Sequence, residues 1–157
     1  MRRKDREIAG FDEQLQIIRG CDSCVIALND DGFPYVVPLN FGTAVEDGQL
    51  YLYFHCAGEG KKLELIRRDN RATFEMDCGH NFILYEERMS CTMGYASVIG
   101  HGVIEFVPEA DKLEALKRLM GQYHAEDFQF NTKMAGVTTV LRLKVLDMTG
   151  KRRNNVR

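Results

Sequence analysis

Two short polar turns set between apolar segments limit most strongly what this chain can become. Cys24 to Leu28 is a compact apolar run, Asn29-Asp30-Asp31-Gly32 supplies turn chemistry, and a second run extends from Phe33 to Gly42. Together they read as a β-hairpin. Glu46-Asp47-Gly48 then turns the chain into a third run, Leu50 to Ala57, so three antiparallel strands in meander order are predicted. Arg71 to Cys78 reads as a fourth strand, and Met89 to Phe106 as one bent strand or two sharing a kink. Thr138 to Met148 alternates Leu141, Leu143 and Val145 against Arg142 and Lys144 and reads as a closing strand.

Helices are predicted at three places. Phe11 to Arg19 has Asp12 and Glu13 in its first turn and Gly20 just past its end. A second begins at Lys61. A third opens at Pro108 and carries an apolar stripe of Leu113, Leu116, Leu119 and Met120 up to Gly121. Tyr123 to Gly136 has no period, yet Phe128, Phe130 and Met134 make it too apolar for a linker, so it reads as a cover over a pocket or a subunit interface. Six or seven antiparallel strands with a few short outer helices make a mainly β fold, a small barrel with helical additions.

The segment LYLYFHCAGEGKKLELIRRDN, Leu50 to Asn70, drives a strand through Gly58 and Gly60 straight into a helix that starts with Lys61 and Lys62. The first N–H groups of a helix have no internal acceptor and carry partial positive charge, so this junction reads as an anion site, with a phosphate as its ligand, or as an ordinary solvated helix start. Neither the phosphate loop of nucleotide hydrolases nor the full dinucleotide glycine pattern is present. Pro38, in the strand FPYVVPLNFG, cannot donate to a ladder and marks an edge or a bulge. The N–H groups of Leu39 and Asn40 are then free to meet the polar rim of a flat ring, unless the strand is simply a protected edge. In GYASVIGHGVIEF, Tyr95, Ser97, Ile99 and His101 share one face, and Gly100 and Gly102 clear the other, for a ligand plane or for a bend in a barrel strand. His55, at the end of the strand before the lysine turn, is a candidate proton donor or substrate anchor.

A chain of 157 residues reads as one domain, 1–157, with the basic ends 1–8 and 151–157 as flexible or interface tails. The formal charge of −2 implies neither nucleic acid nor an anionic membrane as partner. With no long apolar run and no secretion-type leader in view, the cytoplasm is the expected location. Five cysteines then read as reduced thiols. Cys21-Asp22-Ser23-Cys24 lacks the second close pair a zinc site needs and the βαβ setting of a redox motif, so no metal is expected.

In order along the chain, MRRKDREI, PYVVPLNFG, LYFHCAGEGKK, the Phe74-Glu75-Met76-Asp77 strand, YASVIGHG and Met148-Thr149-Gly150-Lys151 resemble the nitroimidazole-resistance proteins. These belong to the pyridoxamine 5′-phosphate oxidase-like, FMN-binding split-barrel superfamily. The resemblance implies a homodimer with two FMN sites at its interface. The backbone around Val37, Pro38, Leu39 and Asn40 would meet the isoalloxazine ring, and His55 with Cys56 would line the ribityl side. Lys61 and Lys62 would hold the phosphate, and Ser97 with the stretch through Gly100 to Gly102 would approach from the long strand. The implied reaction is reduction of an aromatic nitro group, or of a similar flat acceptor, by electrons from reduced FMN, with His55 positioning substrate or delivering a proton. No nicotinamide dinucleotide site is recognisable, so the electron donor stays unnamed. A non-catalytic flavin or haem carrier of the same superfamily and a phosphate-ligand binder are the competing readings.

Overall fold

The structure, a computed structural model, describes residues 3–125 and 127–153. The terminal residues 1, 2 and 154–157 of the predicted tails lie outside the described residues. The chain runs β1 (Glu7–Ile8), α1 (Phe11–Arg19), β2 (Cys24–Leu28), β3 (Tyr35–Leu39), β4 (Gly42–Glu46), β5 (Gln49–Ala57), α2 (Lys61–Arg68), β6 (Arg71–Tyr85), β7 (Ser90–Phe106), α3 (Lys112–Gly121), α4 (Thr132–Val137) and β8 (Thr138–Arg153). All strand pairs are antiparallel, and the sheet order is β3-β2-β6-β7-β8-β5-β4 with β1 paired to β8.

That order corrects the predicted meander. The run Phe33 to Gly42 yields β3 and ends where a second strand, β4, begins, and the two lie at opposite edges of the sheet. Only Asn40 and Phe41 separate β3 from β4, so the two edges come within roughly 10 Å of each other at about 3.3 Å per residue. No ladder joins them. The sheet rolls into a barrel that stays split along this seam. Phe41 is fully buried at the joint, and its N–H is satisfied by the Tyr123 hydroxyl at 3.1 Å instead of by a neighbouring strand. α3 closes over the seam, and a Cβ on Gly42 would collide with the backbone of Arg118 and Leu119, so only glycine admits the helix this closely.

The barrel interior holds Phe41, Phe54, Phe74, Leu52, Leu63, Leu141 and Leu143, all fully buried. α1 adds Leu15, Ile17 and Ile18, and α2 adds Leu63, Leu65 and Ile66. A second cluster, on the outside of β5 and β8, packs Tyr53 and Val140 against Ala115 and Leu116 of α3 and Ala135 of α4. Leu113, predicted in the α3 stripe, is 51 % exposed, because the buried face centres on Ala115, Leu116 and Leu119. The stretch 151–153 is not a tail: Glu7 pairs with Lys151 and Ile8 with Gly150, which makes β1 a lateral addition to the end of β8. β6 also outruns its predicted end at Cys78. After a register shift between Cys78 and Asn81, it pairs on with β7 as a two-stranded arm, Asn81–Tyr85 against Ser90–Gly94.

Candidate functional site

The lysine turn forms as the sequence implies. Gly60 adopts φ +131, a conformation that suits glycine, and starts α2 with no side-chain cap. The first acceptor-bound N–H groups belong to Leu63 and Glu64, which donate to Gly60 O at 2.9 and 3.3 Å. The N–H groups of Lys61 and Lys62 therefore face outward without intrahelical partners.

The two lysines differ. Lys61 Nζ sits 2.6 Å from Asp30 Oδ2 in the β2–β3 turn and 5.5 Å from the centroid of the Tyr35 ring. The hydrogen bond from Lys61 and the backbone N–H of Asp31 hold the Asp30 carboxyl below the usual carboxylate range. Lys62 is half-buried and forms no ion pair among the described residues. It lies close enough to Cys56 for its charge to oppose the burial that pushes the Cys56 thiol up.

His55 and Cys56 do not line one surface. Successive strand residues point to opposite faces. Cys56 packs against the barrel interior, whereas His55 is exposed on the outer face with Tyr53 and opposite Val140. The imidazole has no hydrogen-bond partner among the described residues and stands at the rim formed by the β5 end and the α4–β8 junction, where Ala57 pairs with Thr138. Met134 and Val137 of α4 are 64 % and 68 % exposed nearby in the chain.

The broken strand also divides. Val37 and Leu39 pack their side chains on the core, while Pro38 and Asn40 face outward on the free edge. The Asn40 side chain is already engaged, donating to Asp22 O at 3.3 Å and to the Tyr123 hydroxyl at 3.1 Å. Pro38 shares a row across the sheet with Val25, Glu75 and Ile99. Burial, with Asp77 nearby, pushes the Glu75 carboxyl up. Ser97 belongs to the same outer face, between Asp77 and Lys151. Gly100 and Gly102, by contrast, are corrected. A Cβ on Gly100 would lie 2.5 Å from Asp147 O and 2.6 Å from the Phe74 ring, and one on Gly102 would meet Lys144 O and Leu143. Their cleared face is filled by the barrel's own core and leaves no room for a ligand plane.

The structure thus gathers the predicted residues in two groups. Cys56, Lys61 and Lys62 meet around the start of α2, where Tyr35, not singled out by the sequence, lies under Lys61, with His55 on the reverse side of β5. Pro38 and Ser97 share the outer sheet face. Val140 opposite His55 and Lys151 opposite Ser97 are eleven residues apart along β8, a strand path of about 36 Å at about 3.3 Å per residue. Along the sheet, His55 and Ser97 of one subunit therefore stand well apart.

Three functional-looking residues escaped sequence reasoning. Tyr123, in a stretch without period, staples the seam. Arg118 of α3 pairs with Glu46, donates to the Tyr53 hydroxyl at 3.2 Å and lies over its ring, with the centroid 5.4 Å away. Arg142 pairs with Glu105 at 2.6 Å beside Tyr51. These two arginines line a cleft of about 250 Å³ under α3, but each is matched by a carboxylate. Among the described residues no group of three or more His, Cys, Asp or Glu side chains is placed to hold a metal ion.

Residues 12–152 match the family model described as pyridoxamine 5′-phosphate oxidase. The chain belongs to the pyridoxamine 5′-phosphate oxidase family. Among solved structures, a candidate 5-nitroimidazole antibiotic resistance protein of Bacteroides thetaiotaomicron VPI-5482 shares 30 % identity with a TM-score of 0.80, over 93 % of this chain and 86 % of that one. The flavocytochrome Anf3 of Azotobacter vinelandii shares 17 % identity with a TM-score of 0.79, over 99 % and 72 % of the two chains. The FAD and haem binding protein of Mycobacterium smegmatis shares 16 % identity with a TM-score of 0.80, over 96 % and 74 %. These last two likenesses establish the fold. No curated protein matches this sequence. The split, antiparallel barrel seen here is the fold of the pyridoxamine 5′-phosphate oxidase family, and the seam between β3 and β4 is its split.

Proposed function

We propose that this protein is an FMN-dependent oxidoreductase of the nitroimidazole-resistance type, working as a cytoplasmic homodimer that transfers electrons to flat, electron-poor aromatic acceptors such as nitro compounds. The observation that carries the reading is the start of α2, where uncapped N–H groups and the unpaired, half-buried Lys62 ammonium present a site suited to a phosphate monoester. The fit is good at Lys62 and conditional at Lys61, whose charge Asp30 already shares. The 30 % identity to the candidate 5-nitroimidazole resistance protein supports the acceptor class.

Two sets of observations support a second copy. The outer face of β6 and β7 is bare, with Ile99 46 %, Phe82 59 %, Leu84 63 % and Met93 44 % exposed. Exposed apolar surface on that scale marks an interaction face, and an isolated two-stranded arm is marginal in water without packing. The separation of His55 from Ser97 within one chain fits a site that draws on two chains.

Bound FMN supplies two-electron redox chemistry. The residues of this chain then have distinct tasks. Lys62 and the first α2 amides would hold the phosphate, the free edge of β3 would offer the backbone N–H of Asn40 to the ring rim while that of Leu39 faces β2, and Ser97 of one copy would offer a hydroxyl. His55, exposed and without a hydrogen-bond partner among the described residues, would position the acceptor or deliver a proton to it. The five free thiols fit a reducing compartment.

The test is the visible spectrum of the purified protein before and after FMN is added, with the released cofactor identified. Paired flavin bands at about one FMN per chain, followed by consumption of a nitroimidazole under reducing conditions, would support the reading. A Soret band would move it to haem carriage, and a colourless protein that takes up no flavin would overturn it.

A further inference from the structure

Cys21 and Cys78 are distant in sequence and adjacent in space. Cys21 follows Gly20 at the end of α1, and Cys78 is the last regularly paired residue of β6 before the register shift. Both thiols donate to one acceptor, Ile17 O, Cys21 Sγ at 3.2 Å and Cys78 Sγ at 3.8 Å. The Cys78 sulfur also lies 3.7 Å from where a Cβ on Gly20 would stand, which places it against the end of α1. Cys24, the sequence partner of Cys21 in the Cys-x-x-Cys pattern, is fully buried, and its thiol donates to Val25 O at 3.9 Å. Pair chemistry in this chain therefore belongs to Cys21 with Cys78, across α1 and β6, and not to the motif visible in the sequence.

We propose that Cys21 and Cys78 form an oxidative modification site, at which hydrogen peroxide joins the two thiols in a disulfide. Cys78 is half-buried and is the point of entry; Cys21 is 4 % exposed and reacts only with its neighbour. In the first step the Cys78 sulfur attacks one peroxide oxygen, the O–O bond breaks, and Cys78 sulfenic acid and one water form. In the second, the Cys21 sulfur attacks the Cys78 sulfur, the S–O bond breaks, and the hydroxyl leaves with the Cys21 proton as a second water. Two thiols are oxidised and one peroxide is reduced to two waters. Burial first, then Cys78 and the carboxylates Asp77 and Glu75, push the Cys21 thiol up, so the closing step is slow. An S–S bond of about 2.05 Å requires the sulfurs to swing together about their Cα–Cβ bonds. Once formed, it ties the end of α1 to β6 at the root of the β6–β7 arm.

The experiment is non-reducing peptide mapping of the full-length protein after treatment with hydrogen peroxide and alkylation of the remaining thiols. The expected product is a peptide linking Cys21 to Cys78, lighter by two hydrogens, reversed by dithiothreitol and absent from Cys78→Ser. The oxidised protein should melt about 5–10 °C above the reduced one, since the cross-link closes a long loop. Absence of the linked peptide under conditions that fully oxidise the exposed Cys91 would overturn the proposal, as would a Cys21–Cys24 link in its place. The mapping on the unmodified sequence decides the matter even if the serine variant folds poorly.

Discussion

Removing a single oxygen atom from Tyr123 tests whether the seam of the barrel is held as described. Its hydroxyl donates to Asp22 O at 2.9 Å and accepts from Phe41 N and from Asn40 Nδ2, each at 3.1 Å. Tyr123→Phe keeps the ring and its packing and deletes all three bonds. The Phe41 N–H, partly buried beside a fully buried ring, loses its acceptor, which costs about 1–3 kcal/mol. The Asp22 carbonyl and the Asn40 amide are exposed and turn to water, at about 0.5 kcal/mol or less each. A total of about 1–4 kcal/mol converts to a melting temperature lower by about 2–16 °C for a chain of this size. Urea unfolding and thermal melts followed by far-ultraviolet circular dichroism measure it. Asn40→Ala, which leaves the Tyr123 bonds to Phe41 and Asp22 in place, should lose only about 1 kcal/mol or less. A loss below about 0.5 kcal/mol in Tyr123→Phe would refute the staple, because a buried donor without an acceptor does not come that cheaply.

Three further outcomes are expected. Lys62→Ala should weaken FMN binding about tenfold or more in a fluorescence titration, as loss of one charge-assisted contact of about 1.5–3 kcal/mol implies, whereas Asp30→Asn should tighten it by releasing Lys61; unchanged affinity in both variants would remove the start of α2 as the phosphate site. His55→Ala should retain flavin and lose most nitroimidazole turnover, and equal turnover would take the imidazole out of the reaction. Gly100→Ala should lower stability by about 3 kcal/mol or prevent folding, since the new methyl group meets both the β8 backbone and the Phe74 ring; a wild-type melting temperature would show that the strands can spread there.

Much of this architecture was legible in local chemistry. α1 ends where Gly20 stands, the Asn29 to Gly32 and Glu46 to Gly48 turns fold where their residues favour it, and the Gly60-Lys61 junction makes a helix start. Each of these depends on residues within one or two turns of chain, so their spacing alone carries the information. The alternation of β7 and β8 likewise told inward from outward residues, because strand period is set by the backbone and not by what lies across the sheet.

What could not be read from the chain is what depends on contact across long separations. The FPYVVPLNFG run looks continuous, yet it breaks at Asn40, because a tyrosine far along the chain supplies the acceptor that lets Phe41 leave the ladder. The glycines of β7 suggest an open face in the sequence and meet Phe74 and Leu143 in the fold. Lys61 and Lys62 are equivalent as letters, but the position of Asp30 makes one an ion-pair partner and leaves the other free for an anion. Cys21 is spaced to pair with Cys24, and the packing of α1 on β6 gives it Cys78 instead. The sequence by itself determined the inventory of strands, turns and helix starts, since those follow from backbone preference and periodicity. Only the tertiary structure decided which edges meet, which charges cancel and which sulfurs touch, because those are set by where the rolled sheet brings distant segments together.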